Sequence, residues 1–229
     1  MNPSSGPFWP TGTVYGCLLN FRREWRHMGD RMAQPPHKAP PQAPVLYVKT
    51  ANTWSASGAG ITLPAGADAV LVGAPVALVM GPRQWLPDAD RATPTVAAFV
   101  LVNDLELPGG TYFRPAVKTK CVDGFLGLGA HAVTPADAGD PAQFVVEVRI
   151  NGDLRQTIRF DDLVRDAATL VRDVDAFMSL REGDLLLLGC DADRPTAQAG
   201  DHIEIALAGL PAFGVLSNTL APAHSQEAA

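Results

Sequence analysis

Between Phe99 and Gly129 the stretch FVLVNDLELPGGTYFRPAVKTKCVDGFLGLG gathers most of the side chains able to do chemistry. An apolar run ends in Asn103-Asp104, a Pro-Gly-Gly turn follows, and Arg114, Lys118, Lys120 and Asp123 fall within ten residues. A carboxylate at a strand end lies at a sheet rim, where it can hold a metal or a catalytic proton; cations just downstream can take substrate carboxylates. A hairpin with solvated charges fits the same pattern. Elsewhere, Glu24 and His27 stand three apart and share a face if helical. A carboxylate beside an imidazole raises its pKa and fixes its tautomer, the arrangement of an acid/base dyad, but the same spacing also suits a surface pair worth only about 0.2–0.5 kcal/mol. Lys49 ends an apolar segment before the small-residue loop NTWSASGAG, and can bind a carboxylate there or stand solvated. Cys190 follows Gly189 at another strand end, where polar chemistry can gather.

These residues need elements to hold them. Thr13–Leu19 and Leu46–Lys49 read as short strands, with Asn20 as the cap of a helix over NFRREWRHMGDRMAQ. Ala69–Gly81 is a buried strand broken near its start by Gly73 and Pro75, and Val96–Val102 leads into the Asn103-Asp104 end. Phe144–Ile150 alternates and ends in Asn151-Gly152, a hairpin signal, with Leu154–Arg159 returning. Asp161–Leu180 carries an apolar stripe of helical period capped by Asp161 or Asp162, and strands follow at Leu185–Leu188, His202–Leu207 and near Phe213–Leu216.

The chain has 229 residues, 47% hydrophobic and 18% charged, enough for one sizeable core; a single domain over 13–220 is expected, with flexible ends at 1–12 and 221–229. A net charge of −6 argues against a nucleic-acid partner, so substrate anions must be met locally. Cys17, Cys121 and Cys190 are far apart, and no two of the five histidines have metal-ligand spacing, which disfavours a zinc site or disulfide scaffold and suits a reducing cytoplasm. No apolar run approaches the about 18 residues a membrane span needs, so no membrane partner is expected.

The strings APVLYVKT, ALVMG, VNDLELP, RPAVKTKCVDGF, VRINGDLRQ, FMSLREGDLLLLG and AGDHIEIALAGL, in this order, resemble the fumarylacetoacetate hydrolase family over about residues 13–218. Within it they are most similar to the N-terminal half of two-copy isomerase/decarboxylases of aromatic catabolism. The resemblance implies an α+β, predominantly β fold, a rolled mixed sheet with a few flanking helices. It implies an enzyme acting on small 2-oxo dicarboxylates or tricarboxylates, by decarboxylation or double-bond shift through an enolate, or else a degenerate partner of a metal-dependent paralogue. A homodimer, or association with a C-terminal-type subunit, is expected. Residue by residue, the family's substrate lysine falls on Lys120 with Asp123 beside it, its strand-end lysine on Lys49, its threonine on Cys190, and its H-x-x-E pair, reversed, on Glu24 and His27. Lys120, Asp104, Glu24 and His27 are thus the expected catalytic set, and Lys49, Arg114, Lys118, Asp123 and Cys190 the expected substrate binders. The family usually holds Mg²⁺, Mn²⁺ or Ca²⁺ on an E-x-E pair and the aspartate of N-D. Here Asp104 remains but Gly73 and Pro75 stand at the glutamate positions, so no cofactor or only weak Mg²⁺ is expected.

Overall fold

The structure, a computed structural model, describes residues 7–35, 37–85, 90–109 and 116–223. In chain order the elements are β1 (Val14–Leu18), α1 (Arg22–Met28), β2 (Val45–Lys49), β3 (Trp54–Ala56), β4 (Gly60–Thr62), β5 (Ala69–Gly73), β6 (Val76–Met80) and β7 (Val96–Glu106). They continue with α2 (Val117–Lys120), β8 (Leu126–Leu128), α3 (Pro135–Ala138), β9 (Val145–Ile150), β10 (Asp153–Arg159), α4 (Ala167–Asp175), β11 (Leu185–Leu187), β12 (Thr196–Gln198), β13 (His202–Leu207) and β14 (Val215–Ala221). Among the described residues the larger sheet links β12, β5, β7, β6, β11, β1 and β2, with β8 on β7 and β3 on β8. The smaller sheet runs β10-β9-β13-β14-β4. Parallel pairs (β1 with β11, β3 with β8, β4 with β14) join antiparallel ones, so the fold is α+β, mostly strand, with mixed sheets.

Burial sets which strand goes where. β7 is buried along nearly its whole length and reads as a continuous apolar run because both its faces are covered. β9 alternates buried and half-buried positions, one face on the core. The core is pinned by edge-to-face rings, Phe99 on Phe144 at 5.6 Å and Phe144 on Phe213 at 5.8 Å, contacts worth about 0.5–1.5 kcal/mol each beyond their burial. Asn103, buried in β7, donates to Asn218 of β14 at 3.1 Å and ties the small sheet to the strand that carries Asp104. The β9–β10 hairpin turns at Asn151-Gly152, both with positive φ (55° and 85°), as a two-residue turn of this kind requires.

Several expectations are corrected. β7 does not end at Asn103-Asp104 but continues to Glu106, so Asp104 lies inside the sheet rather than at its rim. The apolar stretch over 69–81 is two strands, yet they share one register on β7: Gly73 faces Asp104 and Val76 faces Leu101 across the Ala74-Pro75 break. The helix over 161–180 is confined to α4 and capped by Asp166, whose carboxylate accepts from Thr169 N at 2.7 Å. The reason lies in Asn20, which caps no helix. Fully buried, it exchanges hydrogen bonds with the Arg165 backbone at 3.0 Å and donates to Leu188 O at 2.9 Å, holding the segment before α4 extended. At the N-terminus, Phe8 N donates to Ala130 O and Trp9 packs edge-on against Trp54, so part of the expected flexible end is tied to the sheet. Ala221, expected in the tail, closes β14. Arg114 and the turn around it lie outside the described residues.

Candidate active site

Side chains two apart on a strand share a face, and two such pairs build the centre of the site. β2 supplies Tyr47 and Lys49; β7 supplies Asp104 and Glu106. Lys120 comes from the end of α2, and the segment after β11 adds Cys190 and Arg194.

Asp104 is fully buried. Its Oδ1 pairs with Lys49 Nζ at 2.7 Å. Its Oδ2 accepts a short hydrogen bond from the Tyr47 hydroxyl and one from the Cys190 thiol at 3.6 Å. Burial alone would raise its pKa, but the Lys120 and Lys49 charges and the Tyr47 hydrogen bond outweigh it and hold the carboxyl well below the ordinary range. Burial, then the neighbouring Asp104 charge, pushes the Tyr47 hydroxyl and the Cys190 thiol up, so both stay protonated as donors.

Lys49 was expected to bind substrate; its surroundings leave it no freedom to do so. The side chain is 1% exposed and its ammonium donates to Leu105 O (2.8 Å), Lys120 O (2.7 Å) and Phe125 O (3.0 Å). A lysine has three hydrogens to donate, and four oxygens, these carbonyls and Asp104 Oδ1 at 2.7 Å, compete for them, so none is left for a ligand. Lys49 is therefore an internal strut that neutralises Asp104 and fastens the chain on both sides of it.

Lys120 and Arg194 bring cationic charge to the inner part of the cleft. Lys120 Nζ lies 4.3 Å from the Tyr47 ring centroid, 3.8 Å from Asp104 Oδ2 and 2.9 Å from Glu106 Oε2; Arg194 Nη1 reaches the same Glu106 oxygen at 2.7 Å. Burial works against the Lys120 charge, but Asp104 and Glu106 keep its pKa raised. Glu106, partly desolvated, is held ionised by Lys120 and Arg194. Leu46, Leu71, Leu107, Phe177 and Met178 line the rest of this cleft.

Glu24 and His27 do not form a dyad. His27 faces solvent with its Nδ1 3.5 Å from Asp193, whereas Glu24 turns inward and its buried Oε2 has no hydrogen-bond partner. Burial raises the Glu24 pKa to about 7, the charges of Arg194 and Lys120 opposing only in part. Helix geometry brings i and i+3 near one face, but the side chains meet only if neither turns to another partner, and Asp193 is one for His27. Lys118 stands exposed at the cleft wall, and exposed Asp123 accepts from Asn52 at 2.6 Å, a loop contact.

The divalent ion implied by the resemblance does not fit these donors. Both Asp104 oxygens are already engaged, one by a lysine. A Cβ on Gly73 would stand 2.5 Å from Cys190 Sγ and 2.9 Å from Asp104 O, so thiol and backbone fill the space where a glutamate would start. Among the described residues no three Asp, Glu, His or Cys side chains converge, and hard cations want six or more oxygens.

Tyr47, Glu106 and Arg194 were missed. Period-2 spacing from Lys49 and Asp104 could have found the first two; Arg194 carries no local signal.

The fumarylacetoacetate (FAA) hydrolase C-terminal family matches residues 13–221. The chain is 36% identical over 202 residues to a 4-hydroxyphenylacetate degradation bifunctional isomerase/decarboxylase of Salmonella dublin, covering 88% of this chain and 46% of that protein. It is 33% identical over 201 residues to a homoprotocatechuate catabolism bifunctional isomerase/decarboxylase of Escherichia coli, covering 87% and 46%. The chain thus spans about half the length of these curated relatives. A solved fumarylpyruvate hydrolase of Pseudomonas aeruginosa, in complex with Mn²⁺ and pyruvate, shares the fold with a TM-score of 0.76 at 20% identity, over 97% of this chain and 94% of that one.

Proposed function

Because the chain belongs to the fumarylacetoacetate hydrolase family, we propose that it is an aromatic-catabolism enzyme subunit acting on small 2-oxo dicarboxylates or tricarboxylates. The reactions are decarboxylation of 5-oxopent-3-ene-1,2,5-tricarboxylate, isomerisation of 2-hydroxyhepta-2,4-diene-1,7-dioate, or both. The observation that carries this reading is Glu24: a buried carboxyl with an unpaired oxygen and a pKa of about 7, within electrostatic reach of Lys120 and Arg194.

Both reactions place negative charge on the 2-oxo oxygen. In isomerisation the enol O–H bond of the 2-hydroxydiene breaks, its electron pair stays on oxygen as the enolate, and a proton is added at C5 to leave the 2-oxo-3-ene. In decarboxylation a C–C bond breaks, CO₂ leaves, and the enolate takes a proton at carbon. Fixed cations stabilise the enolate and a near-neutral acid/base carries the proton. Lys120 holds the developing oxyanion and Arg194 a substrate carboxylate. Asp104, locked by Lys49, Tyr47 and Cys190, orients Lys120. Glu24 moves the proton, and the apolar walls keep water from the enolate.

Absorbance loss of the two unsaturated substrates, followed in EDTA with this chain alone, tests the proposal. Glu24→Gln should lower turnover by about 10²–10⁴-fold. In the wild type kcat/KM should titrate near pH 7, the Glu24 value, and the variant should lose that limb. A rise with pH marks Glu24 acting as base in isomerisation; a fall marks it as acid in decarboxylation. Undiminished turnover in folded Glu24→Gln would remove it from the chemistry.

A second reading is favoured by Gly73, whose position has no room for the family's carboxylate: this chain could serve as a partner for a metal-dependent C-terminal-type subunit. Turnover only after that subunit is added would select it.

A further inference from the structure

Glu106 is conspicuous because Lys120 and Arg194 both spend their charge on one of its oxygens, Oε2, at 2.9 and 2.7 Å. Those are the two cations that the proposed function assigns to a substrate's oxyanion and carboxylate, and this inference rests on that reading. We propose that Glu106 is a tethered carboxylate seated where a ligand's carboxylate binds, so that ligand must displace it to reach Lys120 and Arg194.

Three features support this. First, the geometry is that of a bound carboxylate: an ammonium and a guanidinium nitrogen both within 3 Å of one oxygen, the charge-assisted contacts that a substrate acid would make. Second, Glu106 is the anion that can be exchanged. Asp104 is 0% exposed and engaged by Lys49, Tyr47 and Cys190, whereas Glu106 and Arg194 are 14% and 22% exposed at the cleft. Third, the charges favour replacement. With Lys49 and Asp104 cancelling, Lys120 and Arg194 face Glu106 with one positive charge in excess, so an incoming anion is attracted even before Glu106 swings out. Leu46, Leu71, Leu107 and Met178 line the same cleft, which suits a small carboxylate on an apolar carbon chain.

A ligand that competes with an internal carboxylate binds with an affinity reduced by the fraction of time the seat is open. Glu106 thereby sets a threshold: a ligand must bring more than the one carboxylate it displaces, so simple monocarboxylates compete poorly and dicarboxylates succeed.

Isothermal titration calorimetry with 2-oxoglutarate as probe, at fixed ionic strength, tests this on the wild type, Glu106→Gln and Glu106→Ser, each checked for a cooperative thermal transition. Both variants should bind about tenfold more tightly than the wild type as the occupied fraction is freed, and adding Arg194→Gln to Glu106→Gln should abolish the gain. Wild-type binding with equal or weaker affinity in the folded variants would overturn the proposal alone and leave Glu106 as a prop for the two cations. Absence of binding in all three proteins would overturn it together with the carboxylate-site reading. Should both variants fail to fold, competition settles the matter on the wild type: acetate displacing 2-oxoglutarate as effectively as malonate does would overturn the threshold.

Discussion

At the scale of single residues, the same side-chain type does two jobs. Lys49 and Lys120 are both buried lysines near Asp104, but Lys49 spends its hydrogens on three backbone carbonyls while Lys120 faces an exchangeable carboxylate. Replacing Lys49 by Met strands an ionised Asp104 and three carbonyls inside the sheet. A broken buried pair costs about 3–5 kcal/mol, and urea denaturation of Lys49→Met should show a midpoint lowered accordingly; a loss under about 1 kcal/mol, the exposed-pair scale, would contradict the strut. Sequence made Lys49, Lys120, Asp104 and Cys190 legible as chemistry but could not sort strut from ligand, because the two differ only in which carbonyls the fold brings up. Glu24 and His27 show the same limit: spacing placed both on one short helix, and the distant Asp193 decided that only one turns inward.

At the scale of elements, alternation and turn residues made β9, β10 and β13 readable, since each has one face on the core, β9 and β13 end in left-handed or glycine turns, and β10 begins at one. Helical period over 161–180 misled because Phe21 and Asn20 pair with the 163–165 segment, a contact between residues more than 140 positions apart that no window sees. The Ala74-Pro75 break was legible, its preserved register was not. That register presses Gly73 against Cys190 and the Asp104 backbone. Gly73→Ala should therefore cost about 1–3 kcal/mol by overpacking, with part of the loss recovered in Gly73→Ala/Cys190→Ala. A double-mutant cycle by chemical denaturation reads the coupling, and additive effects would show that the thiol is not what limits the space.

At the scale of the molecule, a chain of net charge −6 nevertheless brings Lys120 and Arg194 together in one cleft. The family was legible in long strings, and with it the mostly-β fold; the two missing glutamates were visible too, but the tyrosine and thiol contacts of Asp104 were not. If those donors do not fit a dication, the melting temperature should be the same in EDTA and in millimolar Mn²⁺; a saturable rise with Mn²⁺ would reveal linkage to a bound ion. The pairing of β1 with β11, Val14 beside Leu185, carries a consequence in time. Long-range contacts close late and fold slowly, and a ribosome delivers the chain from its N-terminus. The first strand must wait for the segment that also brings Arg194, so the cleft's electrostatics are switched on only after that segment has been synthesised.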